Sequence, residues 1–184
     1  PPPLVNIGVL DLKDGTKKWL DIPLEGGYIP RIYWTARPHT LAVVWMNRTQ
    51  DHMKLYMVDV ESGGKEMILE EQSDTWIDIF DFFAGELHLL YFPEQAETFF
   101  WISDRSGFSH IYRYDYDGQL LGQVTAGDYD VVSVEAIDTD KNRLYYVSTE
   151  ISPLERNLFR IHFNGKNKKR LTEAPGNHRL NVSP

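Results

Sequence analysis

The chain of 184 residues contains no cysteine. That excludes disulfides, thiol nucleophiles and cysteine-ligated metal sites, and it leaves the compartment open. No apolar run approaches the roughly 20 residues that a membrane-spanning helix needs, and no signal-peptide pattern marks the N-terminus. Positive charge is scarce: 19 Lys and Arg face 27 Asp and Glu, for a net charge of −8. A nucleic-acid backbone is therefore not an expected partner. A sustained helical period is missing throughout. The six histidines, at 39, 52, 88, 110, 162 and 178, show no two-ligand spacing of the HxxxH kind. Structural or surface roles are expected for them, with no metal and no cofactor.

What is present is aromatic and β-rich. Ten Tyr, nine Phe and five Trp make up 13% of the residues, which suits strands and argues against disorder. The densest stretch runs from Thr98 to Gly127. Phe99 to Ile102 form a continuous apolar run, as expected for a strand covered on both faces. Ser103 to Gly107 is a polar turn, Ile111 to Tyr114 a second strand, and Asp117-Gly118 a tight hairpin turn in which glycine accepts positive φ. Leu120 to Thr125 is the return strand. The same unit recurs. NIGVLDLKDGTKKWLDI begins at Asn6, KLYMVDVESGGKEMILEE at Lys54, HIYRYDYDGQLLGQVTAG at His110 and NLFRIHFNGKNKKRLTEA at Asn157, so the starts are 48, 56 and 47 residues apart. The longer middle spacing points to an insertion around Phe82 to Phe92.

A repeat of about 40–50 residues holding four strands is the signature of a β-propeller blade. A sandwich with regular hairpins does not require equal four-strand periods. The fold class expected is all-β: a β-propeller fragment of about three and a half four-stranded antiparallel blades. Propellers close with roughly four to eight blades, so the fragment is expected to belong to a larger ring, with eight blades the number expected. The 184 residues form one partial domain, with blade pieces at about 4–23, 28–71, 76–127 and 130–174 and a stub at 178–184.

From Tyr28 onward the chain resembles the N-terminal propeller of the dipeptidyl peptidase IV family, serine exopeptidases of the prolyl oligopeptidase clan. The resemblance is carried by YIPRIYWT (28–35), Asn47-Arg48, SDTWID (73–78), FFWISDRSGFSHIYRYDYDG (99–118) and SPLERNLFRI (152–161), with LT and GNH within 171–178 adding to it. The family more often has Glu where Asp104 stands. The resemblance implies that the Ser, Asp and His triad lies on a C-terminal α/β-hydrolase domain absent from this chain, so catalytic residues are expected to be none here. The nearest string to a nucleophile turn, Gly107-Phe108-Ser109-His110-Ile111, ends in Ile where Gly is required, and Ser109 is read as the start of a strand. The family's amine-binding glutamate pair would belong upstream of Pro1, although Glu70 and Glu71 mimic it. In some relatives an aromatic and an arginine shortly after the WID-type segment contact the substrate. That correspondence makes Phe80 and Asp81 the candidate substrate-binding residues, with Asp81 unable to supply an arginine's charge.

Other constellations have plainer readings. Asp115-Tyr116-Asp117-Gly118 lacks the further ligands of a calcium loop and is a hairpin turn. Lys166 to Arg170 is a solvated basic turn. Asn47-Arg48-Thr49 and Asn181-Val182-Ser183 fit the glycosylation sequon. Tyr112, Tyr114 and Tyr116 are packing rather than a stacking platform.

The function these features imply is part of a substrate-gating propeller in an exopeptidase releasing X-Pro or X-Ala dipeptides. Its partners would be peptide substrates and the hydrolase domain, in a periplasmic, extracellular or membrane-anchored setting by family resemblance. An inactive homologue whose propeller binds a partner protein is the first alternative, and a stand-alone small propeller the second. Bare blade faces predict self-association.

Overall fold

A computed structural model describes residues 5–22, 26–79, 88–178 and 180. Every regular element among them is a strand. In chain order these are β1 (Ile7–Leu10), β2 (Lys17–Leu20), β3 (Gly27–Trp34), β4 (Thr40–Asn47), β5 (His52–Asp59), β6 (Lys65–Gln72) and β7 (Leu90–Tyr91), then β8 (Thr98–Ser103), β9 (His110–Asp115), β10 (Leu120–Gln123), β11 (Val131–Asp138), β12 (Arg143–Ser148), β13 (Asn157–His162) and β14 (Lys169–Arg170). They form one two-stranded sheet, β1–β2, and three four-stranded sheets, β3–β6, β7–β10 and β11–β14. Every strand pair is antiparallel, and each four-stranded sheet is a meander in sequence order. The chain divides into two compact units, 1–77 and 78–184, which are taken separately below.

The apolar runs become the central strands. Leu41 to Met46 of β4 are all buried, as is every residue of β8. Both were continuous hydrophobic runs in the sequence, the pattern of strands covered on two faces. Pro30 breaks no ladder, because β3 is an edge strand whose register shifts between Tyr28 and Arg31. In the first unit Ile7 and Leu20 of the two-stranded sheet, and Ile22 just after it, pack with Leu41, Val43 and Val58 of the next sheet, flanked by Val9, Tyr56 and Val60. In the second unit Phe100, Ile102 and Ile111 meet Leu144, Tyr146, Phe159, Ile161 and Phe163.

Each of the four repeated hairpins closes in the same way. The backbone N–H groups of Asp11, Asp59, Asp115 and His162 donate to the carbonyls of Thr16, Gly64, Gln119 and Lys166. Gly15, Gly63, Gly118 and Gly165 return a bond to those same four residues and hold φ between 75° and 82°. Such a value is nearly free for glycine and costly for other residues.

The expected insertion is only partly so. Leu90 and Tyr91 pair with Trp101 and Phe100 as the first strand of their sheet, while residues 80–87 lie outside the described residues. The tyrosine stripe is packing: Tyr112, Tyr114 and Tyr116 are 3–5% exposed, and Tyr114 stacks on Phe99 at 5.6 Å between ring centroids.

Candidate functional site

One end of the β3–β6 sheet carries a polar hollow of about 390 Å³ lined by Asn47, Asp51, His52, Gln72, Ser73 and Asp74. The β4–β5 turn builds it, and Asn47 is the hub of that turn. Its Nδ2 donates to Asp51 Oδ1 at 2.6 Å and to Thr49 Oγ1 at 2.9 Å, and its Oδ1 accepts from the backbone N–H groups of Asp51 and His52. The Asn47 amide first, and the Thr49 hydroxyl second, hold the Asp51 carboxyl below the usual range. Gln50, with φ of 60°, reaches back to donate to Tyr28 OH at 2.6 Å. The carbonyls of Gln50 and Asp51 accept from the N–H groups of Ile77 and Ser73. The turn thus fixes the segment that leads from β6 into the WID residues.

On the sheet face beside the hollow, His52 Nε2 lies 2.5 Å from Glu70 Oε1 and 3.4 Å from Gln72 Nε2, with Lys54 3.6 Å from the same Glu70 oxygen. The His52 bond, then Lys54, keeps the Glu70 carboxyl low. Glu70 and Glu71 are neighbours on a strand and face opposite ways: Glu70 is exposed and Glu71 is 7% exposed. They cannot close on one amine together.

The residues expected to touch substrate, Phe80 and Asp81, lie outside the described residues. Ser109 is not poised as a nucleophile. It is 7% exposed, its N–H donates to Asp130 Oδ1 at 2.9 Å, and its carbonyl accepts from Val131. The adjacent His110 turns elsewhere. Its Nε2 lies 2.9 Å from the Gly127 carbonyl and its Nδ1 3.1 Å from Thr125 Oγ1, under the edge of the Tyr129 ring. Because a carbonyl only accepts, Nε2 carries the proton and Nδ1 accepts from Thr125. Burial pushes the imidazole below its usual range.

No group of three His, Asp or Glu residues suited to a metal occurs among the described residues. Asp115 Oδ1 accepts from the N–H groups of Asp117 and Gln119, which makes that loop a hairpin turn. The basic tip is less solvated than its composition suggests. Lys168 Nζ pairs with Glu150 and lies 5.4 Å from the Tyr129 ring, and Arg170 donates to Asn157 Oδ1 at 2.8 Å. Burial works against the Lys168 charge, yet Glu150 and Tyr129 hold its pKa above the usual range. In the first sequon, Asn47 is committed to the turn; Asn181 lies outside the described residues. His52, Gln72 and Asp74 were not singled out from the sequence, because only the β5–β6 register, which sets His52 opposite Gln72, brings the hollow together.

The whole chain, residues 1–184, matches the family described as the dipeptidyl peptidase IV N-terminal region. The chain belongs to that family. Dipeptidyl peptidase 4 of Trichophyton rubrum is 32% identical over 171 residues, which cover 89% of this chain and 21% of that protein. Venom dipeptidyl peptidase 4 of Apis mellifera is 26% identical over 172 residues, covering 89% and 22%. The crystal structure of Porphyromonas gingivalis dipeptidyl peptidase 4 superposes with a TM-score of 0.81 at 29% identity, over 94% of this chain and 24% of that one. This dipeptidyl peptidase IV N-terminal-region chain thus spans about a fifth to a quarter of the length of these relatives. Its four-stranded antiparallel sheets are blades of the family's β-propeller, and the two-stranded sheet repeats the last two strands of a blade.

Proposed function

We propose that the chain is part of the substrate-gating propeller of a serine exopeptidase that releases N-terminal X-Pro and X-Ala dipeptides, and that the segment is itself non-catalytic. The observation that carries this is the match of the whole chain to the N-terminal region of dipeptidyl peptidase IV. Two structural points support it. Ser109 and His110 are committed to holding a strand junction. The turn at Asn47–Asp51 anchors Ser73 and Ile77 of the WID-type segment that carries the family resemblance. In the whole enzyme the propeller admits short or unfolded peptides and positions their amino end. A hydrolase-domain triad then attacks the bond after the penultimate residue through an acyl-enzyme.

The test offers an X-Pro chromogenic dipeptide to this chain and to a longer protein that continues into a hydrolase domain. The expected result is no turnover by the chain alone and turnover by the longer protein, with Phe80→Ala there raising KM more than it lowers kcat. Turnover by the purified chain overturns the non-catalytic reading. By the resemblance Asp81 falls where some relatives carry an arginine and cannot supply its charge, and an inactive, partner-binding homologue is the alternative reading. That reading is adopted if the longer protein also fails to turn over X-Pro and X-Ala substrates.

A further inference from the structure

Of the eight asparagines in the chain only Asn164 is followed by glycine. Asparagine is a chemically labile residue. The backbone nitrogen of the next residue can attack its side-chain amide, and a Cβ on that next residue hinders the approach. Glycine has no Cβ, and it reaches backbone conformations closed to other residues. Asn164 is exposed at the tip of the β13–β14 hairpin. The Lys166 N–H donates to Asn164 Oδ1 at 3.1 Å, which polarises the side-chain carbonyl towards attack. Lys166, Lys168 and Lys169 follow closely in sequence, and their positive charge favours loss of the Gly165 amide proton. Asn47 and Asn157, by contrast, are followed by Arg and Leu and spend their amide nitrogens on Asp51 and Glu155.

The fold holds the attacking atom back. The Gly165 N–H donates to the His162 carbonyl at 2.8 Å, and the His162 N–H donates to the Lys166 carbonyl at 3.0 Å. The tip is also seated on the neighbouring sheet of the same unit: a Cβ on Gly165 would lie 3.1 Å from the Val124 carbonyl oxygen. Against this, β14 is two residues long and stands at the edge of its sheet. Opening the tip therefore costs far less than unfolding the sheet.

We propose that Asn164 is a deamidation site and that opening of the β13–β14 tip sets its rate. With the tip open, the Gly165 nitrogen gives its proton to hydroxide and bonds to Asn164 Cγ. The Cγ–Nδ2 bond breaks, and Nδ2 leaves as ammonia, taking a proton from water and so regenerating the hydroxide. One water then opens the cyclic imide. Cleavage at Cγ leaves aspartate in an unaltered backbone. Cleavage at the α-carbonyl leaves isoaspartate, whose backbone is one carbon longer. No oxidant or reductant enters, and the chain gains one negative charge. The two products treat the hairpin differently. Aspartate keeps an oxygen for the Lys166 N–H, and it reproduces the Asp117-Gly118 pair at the same position of the preceding repeat. Isoaspartate puts an extra carbon between His162 and Lys166, whose mutual bond closes the turn. The inference rests on this hairpin and not on the peptidase reading.

In the test the unmodified chain is held in mildly alkaline buffer, folded and in urea. Its proteolytic peptides are followed by mass, and isoaspartate is counted with a carboxyl methyltransferase that labels it. The mass gain of an amide exchanged for an acid is expected at Asn164 before any other asparagine, with isoaspartate in the same peptide. The reaction should quicken with pH, and in urea it should run at least about tenfold faster than in the folded chain. The acidic species that ion exchange resolves from the aged chain should be lost in Asn164→Gln, whose longer side chain closes a larger ring less readily. Asn164→Asp should keep the urea midpoint of the unmodified chain, while material enriched in isoaspartate unfolds at a lower one. An Asn164 that stays intact in the folded chain overturns the site, and so does another asparagine that reacts first. Equal rates in the folded and unfolded chain overturn the gating by the hairpin.

Discussion

At the scale of the residue, His110 is the most consequential buried group. It is 1% exposed and neutral, and it ties β9 to the Thr125–Gly127 segment. Burial lowers its pKa, and Lys168 does so too; the Gly127 carbonyl, Asp130 and Glu150 act in the opposite direction. Below the ordinary histidine value of 6.5 the unfolded chain therefore takes up a proton that the folded chain refuses. The stability this residue confers is complete above that value and is lost as pH falls through the window beneath it. The denaturation midpoint should decline on acidification below pH 6.5, and a His110→Gln variant should decline less steeply; equal slopes would show that other groups are responsible. Gly27 supplies a second case. A Cβ there would sit 2.4 Å from the Met46 carbonyl oxygen and from the Trp45 ring. Gly27→Ala should cost about 1–3 kcal/mol through overpacking, read as a lower urea midpoint at unchanged m. Neither effect could be read from the sequence. His110 looked like any histidine in a strand, and Gly27 like half of a loop-forming pair with Gly26, because the atoms that crowd each come from distant strands.

At the scale of the element, the hairpins were legible and the hollow was not. Aspartate followed by glycine encodes a turn locally, through one side-chain acceptor and one positive φ, and the alternation of the strands sets which side chains face inward. The sixth residue of the hairpin is Asp in three repeats, Asp11, Asp59 and Asp115, and each accepts backbone N–H groups of its own turn. In the fourth repeat it is His162, and Asn164 takes over by accepting from the Lys166 N–H. The short β7, by contrast, carries only two paired residues, too few for periodicity to register, and it was absorbed into the expected insertion. For the β9–β10 hairpin, Gly118→Ala should cost about 1–2 kcal/mol, the penalty of a left-handed non-glycine residue. Asp115→Ala should cost about 1 kcal/mol for the lost turn bonds. Because both act on one turn, the double variant should lose less than the two losses added together. Strict additivity in chemical denaturation would show that the two residues act independently.

At the scale of the whole molecule, the repeat period carried the fold, because a strand-turn-strand unit recurring every 47 to 56 residues has few architectures open to it. Its excess of carboxylates yields a further expectation: a labelled DNA duplex should show no anisotropy change with the chain even at low salt. Saturable binding that weakens steeply with salt would contradict the charge argument. Substrate contacts at Phe80 and Asp81 rest on the family resemblance and await the kinetic test above.

The meander order of each sheet has a mechanical consequence. The chain enters a sheet such as β3–β6 by one edge strand and leaves it by the opposite edge. Tension applied along the chain therefore pulls across the ladder, and its hydrogen bonds yield in succession rather than sharing the load. A machine that reels in the polypeptide, such as a translocase or an unfoldase, would meet a series of small peeling steps, one strand at a time, rather than a single high barrier.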